Sequence, residues 1–195
     1  IATGFGRTGR LFACGRAGIT PDIMCLSKGL TGGYMPMSIT VVKEKIYEAF
    51  YADWSEGKAF MHSHTYAGNP LGCAAALAVL DILDEENILE QAENTAAWLT
   101  ERLSETFGAH PNVGEIRHIG LIHALELVED RAEKRPFDSK RRLGYAIYRR
   151  ALQHGLLLRP LGDILYFNPP LNIGRNDLET AMERMKLSMD EVLGA

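Results

Sequence analysis

The sequence has no long apolar run, few cysteines and little excess charge. No stretch of its 195 residues approaches the roughly 18 consecutive apolar residues that a membrane-spanning helix needs. A net charge of −4 gives no reason to expect a nucleic-acid or membrane surface. The 3 cysteines have no CxxC spacing, which argues against a structural zinc site. Cysteines in this pattern indicate a reducing compartment, and we expect the cytoplasm.

The N-terminal residues also lack the features of a signal peptide. The segment from Ile1 to Gly6 contains neither a basic region nor an apolar one. It has no initiating methionine and begins directly in a glycine-rich motif. We therefore expect the chain to be part of a longer protein.

The composition is that of a globular protein with two parts. Hydrophobic residues make up 46% and charged residues 24%, which is enough apolar material for a core. The predicted secondary structure changes after residue 108, from a long amphipathic helix to short extended segments. We expect residues 1–108 to form an α/β layer and residues 109–195 a small α+β domain.

Hydrophobic periodicity and turn residues predict the secondary structure. Strands are expected at 23–26, 37–42, 156–159 and 163–167, and extended segments within 115–128. Helices are expected at 43–51, 71–83, 88–107 and 139–154, with a last helix capped by Asn176 and Asp177. The strand at 23–26 and the helix at 71–83 are expected to be buried. The methionines of the last helix, at 182, 185 and 189, are expected in the core.

A glycine-rich segment, Gly4–Gly9, matches the GxGxxG pattern of dinucleotide-binding proteins, and Asp22 follows at a suitable distance. The context does not support that function, however. No strand of adequate length precedes the motif, and glycines and a proline prevent a helix from following it. A nucleotide-binding module remains a minor alternative.

Lys28 is the first candidate for chemistry. It follows a short apolar run and stands where open α/β sheets place ligands. Burial would lower the pKa of its amine, and a neutral amine can form a Schiff base with a carbonyl group. Gly32 and Gly33 would let the backbone approach a flat ligand closely. An ordinary exposed lysine is the alternative interpretation.

Four other residues carry candidate groups. His62 and His64 could ligate a metal, but no acidic or cysteine partner is near in sequence, so hydrogen-bonding roles are favoured. Thr65 could contact a phosphate, because its hydroxyl precedes a helix N-terminus. Arg159 lies between an apolar run and a proline, and could hold a carboxylate or form a structural salt bridge.

Four motifs in order resemble those of the class III aminotransferases, which depend on pyridoxal phosphate. They are ATGFGRTG at 2–9, PDI at 21–23, LSKGLTGG at 26–33 and HTYAGNPL at 64–71. The resemblance covers essentially the whole chain. It implies the α/β fold-type I architecture, with the later part of the large, cofactor-binding domain at 1–108 and the small C-terminal domain at 109–195. It also implies a homodimer with active sites at the subunit interface.

The resemblance assigns roles to individual residues. Lys28 would be the catalytic lysine that holds pyridoxal phosphate covalently, while Thr65 and His64 would help to bind the cofactor, Thr65 reaching the partner subunit's phosphate. Arg7, Arg159 and Gly33 would contact substrate, and no metal is implied. The aspartate that pairs with the pyridine nitrogen lies upstream of Ile1 in the family, so we expect the chain alone to be inactive.

Segments 33–38, 136–138 and 155–163 are most similar to the family members of biotin biosynthesis. This similarity implies transfer of an amino group to 8-amino-7-oxononanoate, with adenosylmethionine or lysine as the donor. Two alternatives stay open, an aminotransferase of the omega-amino-acid type and a non-catalytic association domain.

Overall fold

The computed structural model describes residues 1–194, and the chain divides into two compact units, Ile1–Leu89 and Glu90–Ala195. This division comes earlier than the boundary predicted near residue 108. The reason is the helix at Ile88–Phe107, whose side chains Leu99 and Leu103 lie in the core of the C-terminal unit. The helix therefore groups with the residues that follow it.

The N-terminal unit contains a two-stranded antiparallel sheet and three helices within the described residues. The strands are β1 (Ile23–Leu26) and β2 (Ile39–Val42), and the helices are α1 (Ala13–Ala17), α2 (Glu44–Tyr47) and α3 (Pro70–Glu85). The register pairs Ile23 with Val42 and Leu26 with Ile39. Helix α3 begins as predicted, because the Asn69 side chain accepts a hydrogen bond from the Leu71 amide at 3.0 Å and Pro70 opens the helix.

The core of the N-terminal unit is small. Its buried residues are Phe5, Leu26, Leu30 and Ala76. The burial predicted for β1 and α3 is wrong for most of their length. Ile23 in β1 is 55% exposed, and Leu71 and Leu77 in α3 are also exposed. The elements of this unit thus leave these side chains open in this chain.

Up to residue 194, the C-terminal unit contains a three-stranded antiparallel sheet and three α-helices. The strands are β3 (Val113–Ile119), β4 (Ile122–Leu127) and β5 (Ile164–Phe167), in the order β3-β4-β5. The helices are α4 (Ile88–Phe107), α5 (Leu143–Gln153) and α6 (Arg175–Leu193). Strand β4 alternates buried and half-buried residues. No helix within residues 1–194 is both long and apolar enough to span a membrane.

The core of the C-terminal unit is large, and it contains the predicted methionine stripe. Met182, Met185 and Met189 are each no more than 1% exposed and pack with Leu178 of the same helix. Their spacing of three and four residues places them on one face of α6. The prediction that these methionines belong to the core is confirmed.

The predicted strand at 156–159 is wrong. The Leu156 amide donates to the carbonyl of Ala151 at 2.8 Å, and the Arg184 side chain donates to the carbonyl of Gly155 at 2.8 Å. These backbone groups are therefore engaged by α5 and α6, and no strand pairs with the segment among the described residues. The strands at 115–128 and 163–167 and the long helices occur close to their predicted positions.

Candidate active site

Lys28 stands directly after β1, where the chain turns sharply. Its φ is 43°, in the left-handed region, and it opens a short 3₁₀ turn, Lys28–Thr31. The Leu30 amide donates to the carbonyl of Ser27 at 3.0 Å, which closes the turn. The Lys28 side chain is exposed. The structure therefore shows the accessible lysine of the alternative interpretation and not a buried amine.

Two hydroxyl groups tie this turn to the segment before β2. Ser27 donates its hydroxyl proton to the carbonyl of Met37 at 2.7 Å, and Thr31 donates to the carbonyl of Met35 at 2.5 Å. Thr31 is buried, so its hydrogen bond is protected from water. The turn that carries Lys28 is therefore fixed on both sides.

Phe5 of the first motif packs against the turn of the second. A β-carbon added at Gly29 would lie 2.9 Å from both Cβ and Cδ2 of Phe5. Phe5 is 4% exposed, has a φ of 57° and meets Phe12 edge-on, with ring centroids 5.7 Å apart. The structure thus brings together two motifs that are about twenty residues apart in sequence.

Helix α3 packs on the other side of the same turn. A β-carbon at Gly32 would lie 3.3 Å from Cγ2 of Val79, and one at Gly72 would lie 3.2 Å from Sδ of Met37. Gly33 is different. Its φ is 87°, and a β-carbon there would have no neighbour within 4 Å. The backbone at Gly33 is therefore open to a ligand, as its predicted role requires.

Arg7 and Thr8 lie in the turns of the first motif. Arg7 is half-buried, and burial lowers the pKa of its guanidinium. Thr8 is 1% exposed, and its hydroxyl has no hydrogen-bond partner among the described residues. The Arg16 guanidinium donates to the Thr8 carbonyl at 3.2 Å.

The geometry does not favour dinucleotide binding at Gly4–Gly9. The helix that follows the motif, α1, has only 5 residues. The carboxylate of Asp22 forms ion pairs with Lys43 at 3.0 Å and Lys45 at 2.8 Å. These lysines hold the pKa of Asp22 below its usual value. Asp22 is thus already engaged rather than available to a ribose.

His62, His64 and Thr65 lie in one exposed loop before α3. The Tyr66 amide donates to Nδ1 of His64 at 3.1 Å, and the ring of His62 lies 5.5 Å from that of Phe60. Within residues 1–194 no group of three potential metal ligands comes together. The described contacts include no hydrogen bond between this loop and Lys28.

Arg159 belongs to the C-terminal unit and is exposed. The dry apolar surroundings predicted for it are only partly present, since Leu158 is 5% exposed but Leu157 is 77% exposed. A residue that sequence analysis missed supports this segment. Asp163 accepts a hydrogen bond from the Gly144 amide at 3.0 Å. The two residues are 19 positions apart, so no local pattern could have paired them.

Comparison with known proteins supplies the family. Residues 1–189 match the family model described as aminotransferase class-III. The chain is 45% identical over 194 residues to adenosylmethionine-8-amino-7-oxononanoate aminotransferase of Geobacter sulfurreducens, covering 100% of this chain and 43% of that protein. It is 44% identical over 191 residues to the protein of the same name from Anoxybacillus flavithermus. That match covers 98% of this chain and 42% of the relative.

Solved structures agree with the sequence relatives. The aminotransferase of the same name from Methanocaldococcus jannaschii superimposes with a TM-score of 0.89 at 35% identity, over 96% of this chain and 44% of that one. A PLP-bound aminotransferase mutant from Vibrio fluvialis superimposes with a TM-score of 0.91 at 32% identity. This match covers 98% of this chain and 42% of that one. The predicted α/β fold of these enzymes is confirmed, and the chain spans less than half the length of these relatives. The chain belongs to the class III aminotransferase family.

Proposed function

We propose that the protein containing this chain is a pyridoxal-phosphate-dependent aminotransferase that converts 8-amino-7-oxononanoate into 7,8-diaminononanoate. The observation that carries the aminotransferase assignment is the exposed primary amine of Lys28 on a fixed turn at the end of β1. The substrate is supported by relatives of that one name with 37% to 45% identity. Adenosylmethionine or lysine would be the amino donor.

The residues present fit the proposed cofactor. An aldehyde needs an accessible amine, which Lys28 provides, and a planar ring needs open backbone, which Gly33 provides. Thr65 and His64, in the exposed loop before α3, would bind the phosphate, because the hydroxyl and the helix amides favour an anion. When bound, pyridoxal phosphate supplies an electron sink for the charge that develops on the substrate carbon.

Lys28 has two tasks in this mechanism. Its Nζ would hold the cofactor, and as a free amine it would take the proton from the donor carbon that carries the nitrogen. In the second half-reaction it returns a proton to the former carbonyl carbon of the acceptor. The fixed turn from Ser27 to Thr31 keeps this amine in one region throughout.

The arginines would bind the substrates. The acceptor has its carboxylate at the far end of an apolar chain, and the exposed guanidinium of Arg159 can hold a carboxylate through two hydrogen bonds. Arg7 would contact substrate from the first motif, where it is half-buried. Both interactions orient the acceptor rather than take part in proton transfer.

Further features support a homodimer in the cytoplasm. The aromatic residues of the segment before α3 and several leucines of α3 are exposed, among them Trp54, Phe60, Tyr66, Leu71 and Leu77. Several large apolar side chains exposed in one region of the sequence are what a surface covered by another subunit would present. The three cysteines are free, which favours a reducing compartment. The domain roles predicted from the sequence carry over to the two units as part of this proposal.

Borohydride reduction of the full-length holoenzyme tests the assignment of Lys28. Peptide mapping after reduction should find the pyridoxyl mass on Lys28 and not on Lys43 or Lys45, which pair with Asp22. Label on either of those two lysines, or no label at all, would contradict the proposal.

A second candidate is an omega-amino-acid transaminase. An omega-transferase structure from Vibrio fluvialis superimposes with a TM-score of 0.88 at 32% identity, similar to the value for the Methanocaldococcus jannaschii enzyme. The two functions differ in the acceptor. Single-turnover assays with 8-amino-7-oxononanoate and with pyruvate would separate them, because the proposed enzyme should turn over only the first efficiently.

A further inference from the structure

The segment 155–163, which carries Arg159, is held at several points although it forms no strand. Its first carbonyl, on Gly155, accepts the Arg184 side chain at 2.8 Å, and Leu158 lies in the core. At its far end Leu161 and Ile164 exchange backbone hydrogen bonds of 3.0 and 3.1 Å. Arg159 is exposed and lies between the buried Leu158 and the half-buried Pro160.

The far end of the segment rests directly on the first turn of α5. A β-carbon added at Gly144 would lie 2.0 Å from the carbonyl oxygen of Gly162 and 3.2 Å from Cβ of Pro160. No side chain larger than hydrogen fits in that space. The backbone of the segment and the helix are therefore in contact without an intervening side chain.

Asp163 stabilises this contact through two hydrogen bonds. Its carboxylate accepts the Gly144 amide at 3.0 Å, and its carbonyl accepts the Leu127 amide at 2.9 Å. Helix α5 has Arg142 at its N-cap, which offers no side-chain acceptor, so Asp163 serves as the cap from a distant part of the chain. A carboxylate at this position also interacts favourably with the helix dipole. One residue thus joins α5, β4 and the segment that carries Arg159.

We propose that Asp163, acting through the Gly144 amide, is a positioning residue that sets the location of the Arg159 guanidinium for the substrate carboxylate. This inference rests on the proposed function, in which Arg159 binds the carboxylate of the acceptor. Asp163 touches neither substrate nor cofactor. Its contribution is to keep the backbone at Pro160–Gly162 against α5, so that Arg159 is directed the same way before and after the substrate binds.

The test uses the full-length holoenzyme and three variants. Asp163→Ala removes the acceptor, Asp163→Asn keeps an oxygen in the same place, and Asp130→Ala is the matched control. Asp130 accepts the Glu133 amide, also at 3.0 Å, in the loop after β4, where it also pairs with Arg135. Asp163→Ala should lower kcat/KM for 8-amino-7-oxononanoate by about tenfold, mainly through KM, because a small displacement of a binding group weakens substrate orientation strongly.

The other variants show whether the effect is specific. Asp163→Asn should stay within about threefold of the wild type, because its amide oxygen still accepts the Gly144 proton. Asp130→Ala should match the wild type. The half-reaction with the amino donor should change little in all three. A loss of both half-reactions to the same extent in Asp163→Ala would show that Asp163 is merely structural and would overturn the inference.

A double-mutant cycle with Arg159 separates this inference from the proposed function. If Asp163 acts through Arg159, Asp163→Ala should have no further effect on kcat/KM in an Arg159→Ala background. Additive losses would overturn the inference and leave the function intact. If Arg159→Ala alone does not weaken the acceptor half-reaction, the proposed role of Arg159 fails instead.

Amide hydrogen exchange provides a readout besides activity. In Asp163→Ala the Gly144 amide and the segment 155–163 should exchange faster than in the wild type, whereas Asp163→Asn should retain most of the protection. Gly144→Ala, which forces the segment away from α5, should raise exchange in the segment and raise KM for the acceptor together. Unchanged exchange in Asp163→Ala would contradict the proposed anchoring.

Discussion

Phe5 occupies the space in which a side chain at Gly29 would stand. The distance from a β-carbon at Gly29 to Cβ of Phe5 would be only 2.9 Å. This contact explains why a glycine must follow Lys28, and it makes the turn of the candidate catalytic lysine depend on a residue of the first motif. The position of Lys28 thus depends on a contact between residues distant in sequence, as well as on the short strand that precedes it.

Replacing Gly29 by alanine should therefore destabilise the N-terminal unit. Overpacking of this kind typically costs about 1–3 kcal/mol, since either Phe5 or the turn must move. Urea unfolding of the chain followed by circular dichroism measures the change. Gly15→Ala is the matched control, because a β-carbon there would meet nothing within 4 Å. Equal stability of the two variants would contradict the close packing.

Thr65 should contribute to cofactor affinity in the full-length protein. Removing one hydrogen bond to a charged phosphate by Thr65→Ala should weaken pyridoxal-phosphate binding by about tenfold or more. Equilibrium titration of the apoenzyme, followed by absorbance, measures the dissociation constant. Ser63→Ala in the same exposed loop is the control and should bind like the wild type. Equal weakening by both variants would mean that the loop, rather than Thr65, is responsible.

Arg159→Ala should affect one half-reaction far more than the other. A hydrogen bond to a charged group contributes about 1.5–3 kcal/mol, so kcat/KM for 8-amino-7-oxononanoate should fall by about tenfold or more. The half-reaction with adenosylmethionine or lysine should change far less. Single-turnover absorbance measures the two separately. Arg149→Ala, at another exposed arginine of the same unit, should leave both unchanged.

His123 should make the C-terminal unit less stable in mild acid. The imidazole is fully buried, and burial, followed by the neighbouring His118, lowers its pKa to about 4. In the unfolded chain its pKa is about 6.5, so the unfolded state binds an extra proton below that pH. The free energy of unfolding should therefore decrease from pH 6.5 towards pH 4, by up to about 3 kcal/mol, and then level off.

Urea unfolding at a series of pH values checks this dependence. His123→Gln should flatten the profile between pH 6.5 and 4, because the titrating group is gone. His118→Gln, which removes the exposed ring stacked 5.1 Å away, should keep most of the slope. A wild-type profile without any decrease in this range would show that His123 can be protonated in the folded protein.

Local patterns in the sequence were enough to place most secondary structure. Amphipathic spacing located α4 and α6, and Asn69 with Pro70 located the start of α3. Burial was harder to predict. The apolar run of β1 predicted a covered strand, but coverage depends on neighbouring strands that a local pattern does not report.

The candidate site shows the same limit. Spacing and resemblance were enough to propose Lys28 and Gly33 as site residues, but they did not predict the packing of Phe5 on Gly29. The cap that Asp163 provides for α5 could not be predicted either, because its partner Gly144 lies in another element. Contacts between distant residues are set by the tertiary structure, so a single sequence gives no periodic signal for them.

The unequal size of the two cores has a consequence for the local stability of this chain. The N-terminal unit relies on Phe5, Leu26, Leu30 and Ala76, whereas the C-terminal unit packs three helices against its sheet. Segments with few buried contacts open most often, and proteases act on such open forms. Substitutions near the turn Lys28–Thr31 should thus make the N-terminal unit of this chain more susceptible to proteolysis.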